Sequence, residues 1–142
     1  GAVERITLVQ FGPFVRGRRM MIGGFQEFGG VLRGRSIVLN RRDHGRSMIV
    51  GQGFPEEIAS EIDGTVTAKL CLTLSADGKA IHGTFQPQRI EFTHRPPKIT
   101  MRRFLEPSFR RYKLISRTPV ETEVVEDAQA SQGEQPRFRR TV

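Results

Sequence analysis

Residues 65–74 read Thr65-Val66-Thr67-Ala68-Lys69-Leu70-Cys71-Leu72-Thr73-Leu74, and this stretch sets the fold class. Val66, Ala68, Leu70, Leu72 and Leu74 alternate with Thr65, Thr67, Lys69, Cys71 and Thr73. A period of two sends the two sets to opposite faces of a strand, one buried and one open. Asp77-Gly78 follows as a turn signal, and Thr84–Thr93 reads as a second strand region. Pro87 lacks a ladder donor, so it marks a strand edge, bulge or start.

Upstream, Arg5–Val9 reads as a first strand, interrupted by Gly12-Pro13. Val31–Asn40 and Ser47–Gly51 read as further strands separated by the polar turn Arg41–Arg46, with bends or bulges at Gly23-Gly24 and Gly29-Gly30. One segment carries helix signals. Phe54–Ile62 places Pro55 in the first turn, Glu56 and Glu57 near the positive helix end, and Ile58 and Ile62 four apart, before Asp63-Gly64 stops it. After Pro96-Pro97, residues Ile99–Phe104 and Phe109–Ser116 read as extended. From Thr118 the chain turns rich in Glu, Gln, Ser and Ala and is expected to stay disordered, because it has too little apolar surface to offset ordering entropy.

With 142 residues the chain has room for one core plus tails. It carries a formal charge of +8, and all but Lys69, Lys79, Lys98 and Lys113 of its 23 basic residues are Arg. Arg suits planar, bidentate phosphate contacts and stacks on bases or rings. The charge is uneven: residues 1–46 hold nine Arg against Glu4, Glu27 and Asp43. Residues 95–117 hold eight basic side chains against Glu106 alone, and residues 121–134 are acidic. Such an excess attracts phosphate backbones, anionic lipid or an acidic protein surface; a solubilising surface is the plain alternative.

Cys71 is the single cysteine, so no internal disulfide forms, which fits a reducing compartment. No apolar run approaches the roughly 20 residues of a membrane span, and the start has no signal-peptide core; a targeting sequence ahead of Gly1-Ala2 is compatible with this. His44, His82 and His94 lack metal spacing, Cys71 has no partner thiol, and no Gly-rich stretch ends in the Lys-Ser/Thr of a phosphate loop. Glu56, Glu57 and Glu61 read as the solvated face of a short helix. No enzyme, cofactor or metal is expected.

Three strand regions, one short helix and then two long strands is the order of a five-stranded OB barrel whose helix joins strands 3 and 4. The segment Ser47–Leu74 resembles the central stretch of single-stranded-DNA-binding OB-fold proteins, Glu4–Val9 is similar to their opening strand, and His82–His94 to their final one. Within that group the chain looks like the mitochondrial OB-fold interaction proteins of the kinetoplastid RNA-editing complex. The resemblance covers residues 4–95, and it lacks the strand-2 Trp usual there, since the chain has no Trp. It implies an all-β, five-stranded OB-type barrel over 1–95. Outside the resemblance, charge and composition mark a basic extended segment over 96–117, packed on the barrel or a partner, and a disordered tail over 118–142, acidic and then basic. The resemblance further implies an intracellular, mitochondrial RNA-processing setting with other protein subunits, another OB-fold protein among them, and no membrane.

In such a barrel ligand lies on strands 2–3 and the adjoining loops. That places Arg16, Arg18, Arg19, Phe25, Phe28, Arg33, Arg35, Arg41, Arg42, His44 and Arg46 at a nucleic-acid site, Arg for phosphates and Phe for bases; core packing is the competing role for Phe25 and Phe28. Arg102, Arg103, Arg110 and Arg111, interleaved with Phe104, Phe109 and Tyr112, form a second basic surface. The expected function is a non-catalytic subunit binding single-stranded RNA or DNA, RNA favoured. The alternatives are a protein-interaction scaffold and a lipocalin-like small-ligand barrel; the last needs eight up-and-down strands, against which the mid-chain helix and the Gly-rich stretch count.

Overall fold

A computed structural model of the chain describes residues 3–90, 106–118 and 121–133. Eight antiparallel strands, each paired with its neighbour in sequence, close into a barrel through a β1–β8 ladder. They are β1 (Arg5–Phe11), β2 (Phe14–Met21), β3 (Gly24–Arg33), β4 (Ser36–His44), β5 (Val66–Leu74), β6 (Ala80–Pro87), β7 (Ser108–Arg117) and β8 (Glu121–Glu126). The helices are α1 (Arg46–Gly51) and α2 (Glu56–Ile62), both between β4 and β5, and α3 (Ala128–Gly133), which packs on β7.

The all-β barrel is as expected, but its count and connectivity are not: eight up-and-down strands replace five Greek-key ones. The extra strands are β2, β7 from the extended Phe109–Ser116, β8, and a second strand where Val31–Asn40 is split. The split is a turn at Gly34-Arg35, and β4 runs on through Arg41–His44 in place of the expected polar turn. Gly12-Pro13 is a hairpin turn joining β1 to β2, with Gly12 at φ 55° where a two-residue turn needs a positive value. Gly29-Gly30 lies inside β3, not at a bend. Residues 121–126, expected to be disordered, form the closing strand, and Ser47–Gly51, read as a strand, is α1. The segment Ile99–Phe104 and the end of the tail, 134–142, lie outside the described residues.

The alternation read from β5 is the inside–outside pattern of the barrel. Leu70 and Leu72 point inward with Ile6, Leu8, Val15, Phe28, Ile37, Leu39, Ile81, Tyr112 and Val124, forming one buried cluster. A fully buried Leu or Ile contributes about 1.5–3 kcal/mol. A second cluster, Met48 and Ile49 of α1 with Ile58, Ala59 and Ile62 of α2, holds the helix pair together, and Met21 and Ile90 pack on it. The pair is tied to the barrel where Gly45, at φ 117°, lies so close to Gly24 that a Cβ there would meet the Gly24 Cα at 2.6 Å. Asp63 accepts a hydrogen bond from the Gly45 amide (3.0 Å) and tightens the same junction.

The barrel has two unlike ends. The turns at Gly12-Pro13, Gly34-Arg35 and 75–79 are tight and sit at one end with the link between β7 and β8. The other end carries the β2–β3 turn, the helix pair and the end of β6.

Candidate nucleic-acid interface

Strand parity sorts the predicted basic residues into two groups. Val15 and Gly17 face inward on β2, so Arg16 and Arg18 face out and Arg19 faces in. On β4, Ile37, Leu39 and Asp43 are buried, so Arg41 belongs to the interior and Arg42 to the exterior. On β7, Tyr112 is fully buried, which sets Arg110 inside and Arg111 outside.

The exterior group converges. Arg16 opposes Gly29 and Arg18 opposes Glu27 across β2–β3, while Glu27 opposes Arg42 and Gly29 opposes Asn40 across β3–β4. Asn40 in turn opposes Lys69 of β5. With no side chain at Gly29 the centre of this face is an open depression of about 640 Å³, lined by Arg16, Arg18 and Arg42 together with Thr7, Met20 and Asn40. At its rim the Arg18 guanidinium lies 4.7 Å above the Phe25 ring, which stacks on His44 at 4.6 Å; His44 Nε2 is 3.3 Å from Glu27 Oε1. Arg42 donates to the Gly64 carbonyl (2.8 Å) and so is held in place. Arg33 and Arg35 are exposed at the β3–β4 turn, on the same side of the barrel. Among the described residues, Arg16, Arg18, Arg33, Arg35, Arg42 and Lys69 form no ion pair with an acid.

The remaining predictions do not belong to this face. Phe28 is fully buried in the barrel and is a core residue, because its parity on β3 matches that of Gln26 and Leu32. Arg46 begins α1 and reaches Glu56 (3.6 Å). Arg111 lies on the far side of the barrel, 3.8 Å from Asp127. Arg102 and Arg103 lie outside the described residues.

The interior group forms a ring of charges below the helical end, which residue-by-residue reading missed. Arg41 Nε is 3.1 Å from Asp43 Oδ1 and also donates to Thr67 Oγ1 (3.3 Å), beside an irregularity in the β4–β5 register. Arg110 donates to Glu126 (2.6 Å), and Arg19 to Gln26 (3.5 Å). The Arg41 and Arg110 guanidiniums lie 5.0 and 4.7 Å from the centre of one ring, Phe85. Glu4 accepts from the Tyr112 hydroxyl (3.1 Å) through Oε2, while its buried Oε1 has no hydrogen-bond partner among the described residues. Acids and guanidiniums alternate here, so the ring is a structural network in which each charge faces an opposite one, with Glu4 Oε1 left without a hydrogen bond among the described residues.

Burial pushes the Glu4 carboxyl above its ordinary value of 4.5, against the opposing pull of Arg41, Arg19 and Arg110. Burial, and then the nearby Glu4, also hold the Tyr112 hydroxyl well above its ordinary 10.0. A raised carboxyl value means that the native state binds the proton more tightly than the unfolded chain does, so stability falls as pH rises from 4.5 through the raised value. Glu4→Gln keeps an acceptor for Tyr112 and removes this titration. The stability of the wild type relative to Glu4→Gln is expected to decline across that window in urea melts at stepped pH. A difference that stays flat with pH removes the buried-proton explanation.

Among the described residues no cluster of three or more His, Cys, Asp or Glu is arranged to hold a metal ion, and no helix is long and apolar enough to cross a membrane. No protein family, curated protein or solved structure matches this chain.

Proposed function

We propose that this barrel is a non-catalytic binder of single-stranded nucleic acid, RNA favoured, which grips the phosphate backbone with the outer face of β1–β5. The observation that carries this is the asymmetry of charge around the barrel. Arg16, Arg18, Arg33, Arg35, Arg42 and Lys69 lie on one side with Glu27 among them. Towards β7 and β8 three cations are answered, Arg5 by Glu123 (3.3 Å) and Arg111 and Lys113 by Asp127 (3.8 Å each), while Lys79 and Arg89 form no ion pair among the described residues. Unanswered guanidiniums around a depression suit phosphate oxygens, and release of counterions from the backbone drives such binding.

Gly29 gives a clean test. A Cβ there meets nothing within 4 Å, so Gly29→Glu fits without strain and sets a carboxylate among the three Arg of the depression. Fluorescence anisotropy with a labelled oligouridylate is expected to show wild-type affinity falling steeply between about 50 and 200 mM salt. At low salt Gly29→Glu is expected to bind at least tenfold more weakly, with its melting temperature near the wild-type value. Equal affinity of the two proteins, or no binding by the wild type, sinks the proposal; competition with oligothymidylate reports the preference for RNA.

A second function, as a protein-interaction module, is favoured by the helical end. Ile22 is 98% and Met20 70% exposed there, beside a cleft of about 660 Å³ between the β2–β3 turn and α1 that Met21 and Met48 also line. Adaptable methionines around a cleft suit a protein partner. Light scattering of the free protein, repeated with oligonucleotide, separates the two functions.

A further inference from the structure

The largest aromatic exposure on the described surface is at the tip of the β1–β2 hairpin, away from the Arg18–Phe25–His44 stack. Phe11 and Phe14 face each other across the Gly12-Pro13 turn, and each is 61% exposed. Residues directly opposite in a ladder share a face, and Val15, next to Phe14, is buried, so both rings stand on the outside of the barrel. The tip is anchored: the Leu32 amide donates to the Pro13 carbonyl (2.7 Å). A β1–β2 hairpin could turn with polar residues at these positions, and the core gains nothing from these two rings.

Their neighbours give them a context. Phe14 opposes Val31, and Val31 opposes Val38, which is 40% exposed, so an apolar row crosses β1–β4 over roughly 14 Å at ordinary strand spacing. Two residues along β2 the next outward side chain is Arg16, and two along β3 in the other direction it is Arg33. The apolar row is thus flanked by guanidiniums on both sides. Alternating strips of ring and cation are complementary to a polymer that has apolar faces and anions at short, regular intervals. Unpaired nucleotides have that pattern, whereas a duplex keeps its base faces stacked inside.

We infer that Phe11 and Phe14 are the base-stacking platform of this protein, where unpaired bases lie on the hairpin tip while their phosphates meet Arg16 and Arg33. This deepens the function proposed above and rests on it. It also shifts the stacking role away from Phe28, which is buried, to a pair of rings in the hairpin turn. Stacking tolerates any base, so the platform supplies affinity for single strands without sequence preference.

The chain contains no Trp, so Phe14→Trp creates a single indole reporter at the platform. Its emission is expected to be quenched by a short oligouridylate and unchanged by inorganic polyphosphate, a polyanion without bases. In parallel, the double variant Phe11→Ala/Phe14→Ala is expected to lose about tenfold or more in oligouridylate affinity, with polyphosphate affinity unchanged. Both rings lie outside the core, so the variant folds as the wild type does. Oligouridylate binding that is steeply salt-dependent, but with an unquenched indole and wild-type affinity in the double variant, overturns the platform and leaves the basic face standing. Loss of wild-type binding to oligouridylate at low salt overturns both. An indole that shifts to the blue with rising protein concentration, or on anionic phospholipid vesicles without nucleic acid, assigns the rings to self-association or to a lipid surface and overturns the inference.

Discussion

Gly30→Ala is expected to destabilise the barrel by about 3 kcal/mol or more, while Gly29→Ala, one residue away, is expected to change stability by less than about 0.5 kcal/mol. The two glycines face opposite sides of β3. At Gly30 an added Cβ lands on the Val38 carbonyl oxygen and 2.8 Å from its carbon, both of them backbone atoms of the neighbouring β4. Backbone cannot rotate away as the end of a flexible side chain does. Either the β3–β4 ladder parts at Val31–Val38 or β3 straightens, and straightening opposes the coiling that closure of the barrel requires. At Gly29 the Cβ enters the open depression and meets nothing. Urea unfolding of both variants beside the wild type checks this; equal midpoints for the two would mean that β3 does not approach β4 so closely. Gly83 is another case of the Gly30 kind, since its Cβ would land on the Cys71 carbonyl oxygen of β5.

Arg41→Met is expected to cost about 3–5 kcal/mol. The Asp43 side chain is 1% exposed and Arg41 is 15% exposed. Removing the guanidinium leaves a buried carboxylate facing an apolar side chain, and Thr67 loses its donor. The cost arises from the stranded charge more than from the lost attraction, and this makes a second measurement decisive. In Arg41→Met/Asp43→Leu both charges are gone, and at least half of the lost stability is expected to return, since apolar replacement of a whole buried pair is often neutral. A double variant as unstable as the sum of the two single ones would show that Arg41 and Asp43 do not act as a pair. The variants also separate the two Arg groups: Arg41 lies inside the barrel, so oligonucleotide affinity is expected to persist wherever the protein remains folded.

The sequence made the strongest strand and the helix after Pro55 legible, because each carries several concordant signals within ten residues. What escaped it had physical causes. Met48-Ile49-Val50 looks like strand, and five residues are too few to separate a period of two from one of 3.6. Only packing against Ile58, Ala59 and Ile62 makes it a helix. Gly29-Gly30 has poor strand propensity and reads as a bend, yet the missing Cβ of Gly30 is what lets β3 press on β4. Residues 121–126 look too polar to fold. A closing strand needs little of its own core, however, and here Val124 is the one buried residue, while Glu123 and Glu126 are answered by Arg5 and Arg110 from neighbouring strands. At the candidate site, the cluster Arg16, Arg18, Arg19 was visible as charge only. With Gly12-Pro13 taken as an interruption, β2 had no start, and without it parity could not separate the interior Arg19 from its exterior neighbours.

The pairing of the first strand with the last has a consequence for biosynthesis. Arg5 lies opposite Val125 and Val9 opposite Glu121, so about 120 residues must leave the ribosome before the ring can shut. Until then, β1 and whichever strand was made last each present an unsatisfied row of amides and carbonyls, the kind of template on which neighbouring nascent chains pair in error. The interval ends with a segment that carries three glutamates in six residues. Their charge keeps that segment soluble while it waits, and it seals the ring by meeting cations already in place on either side.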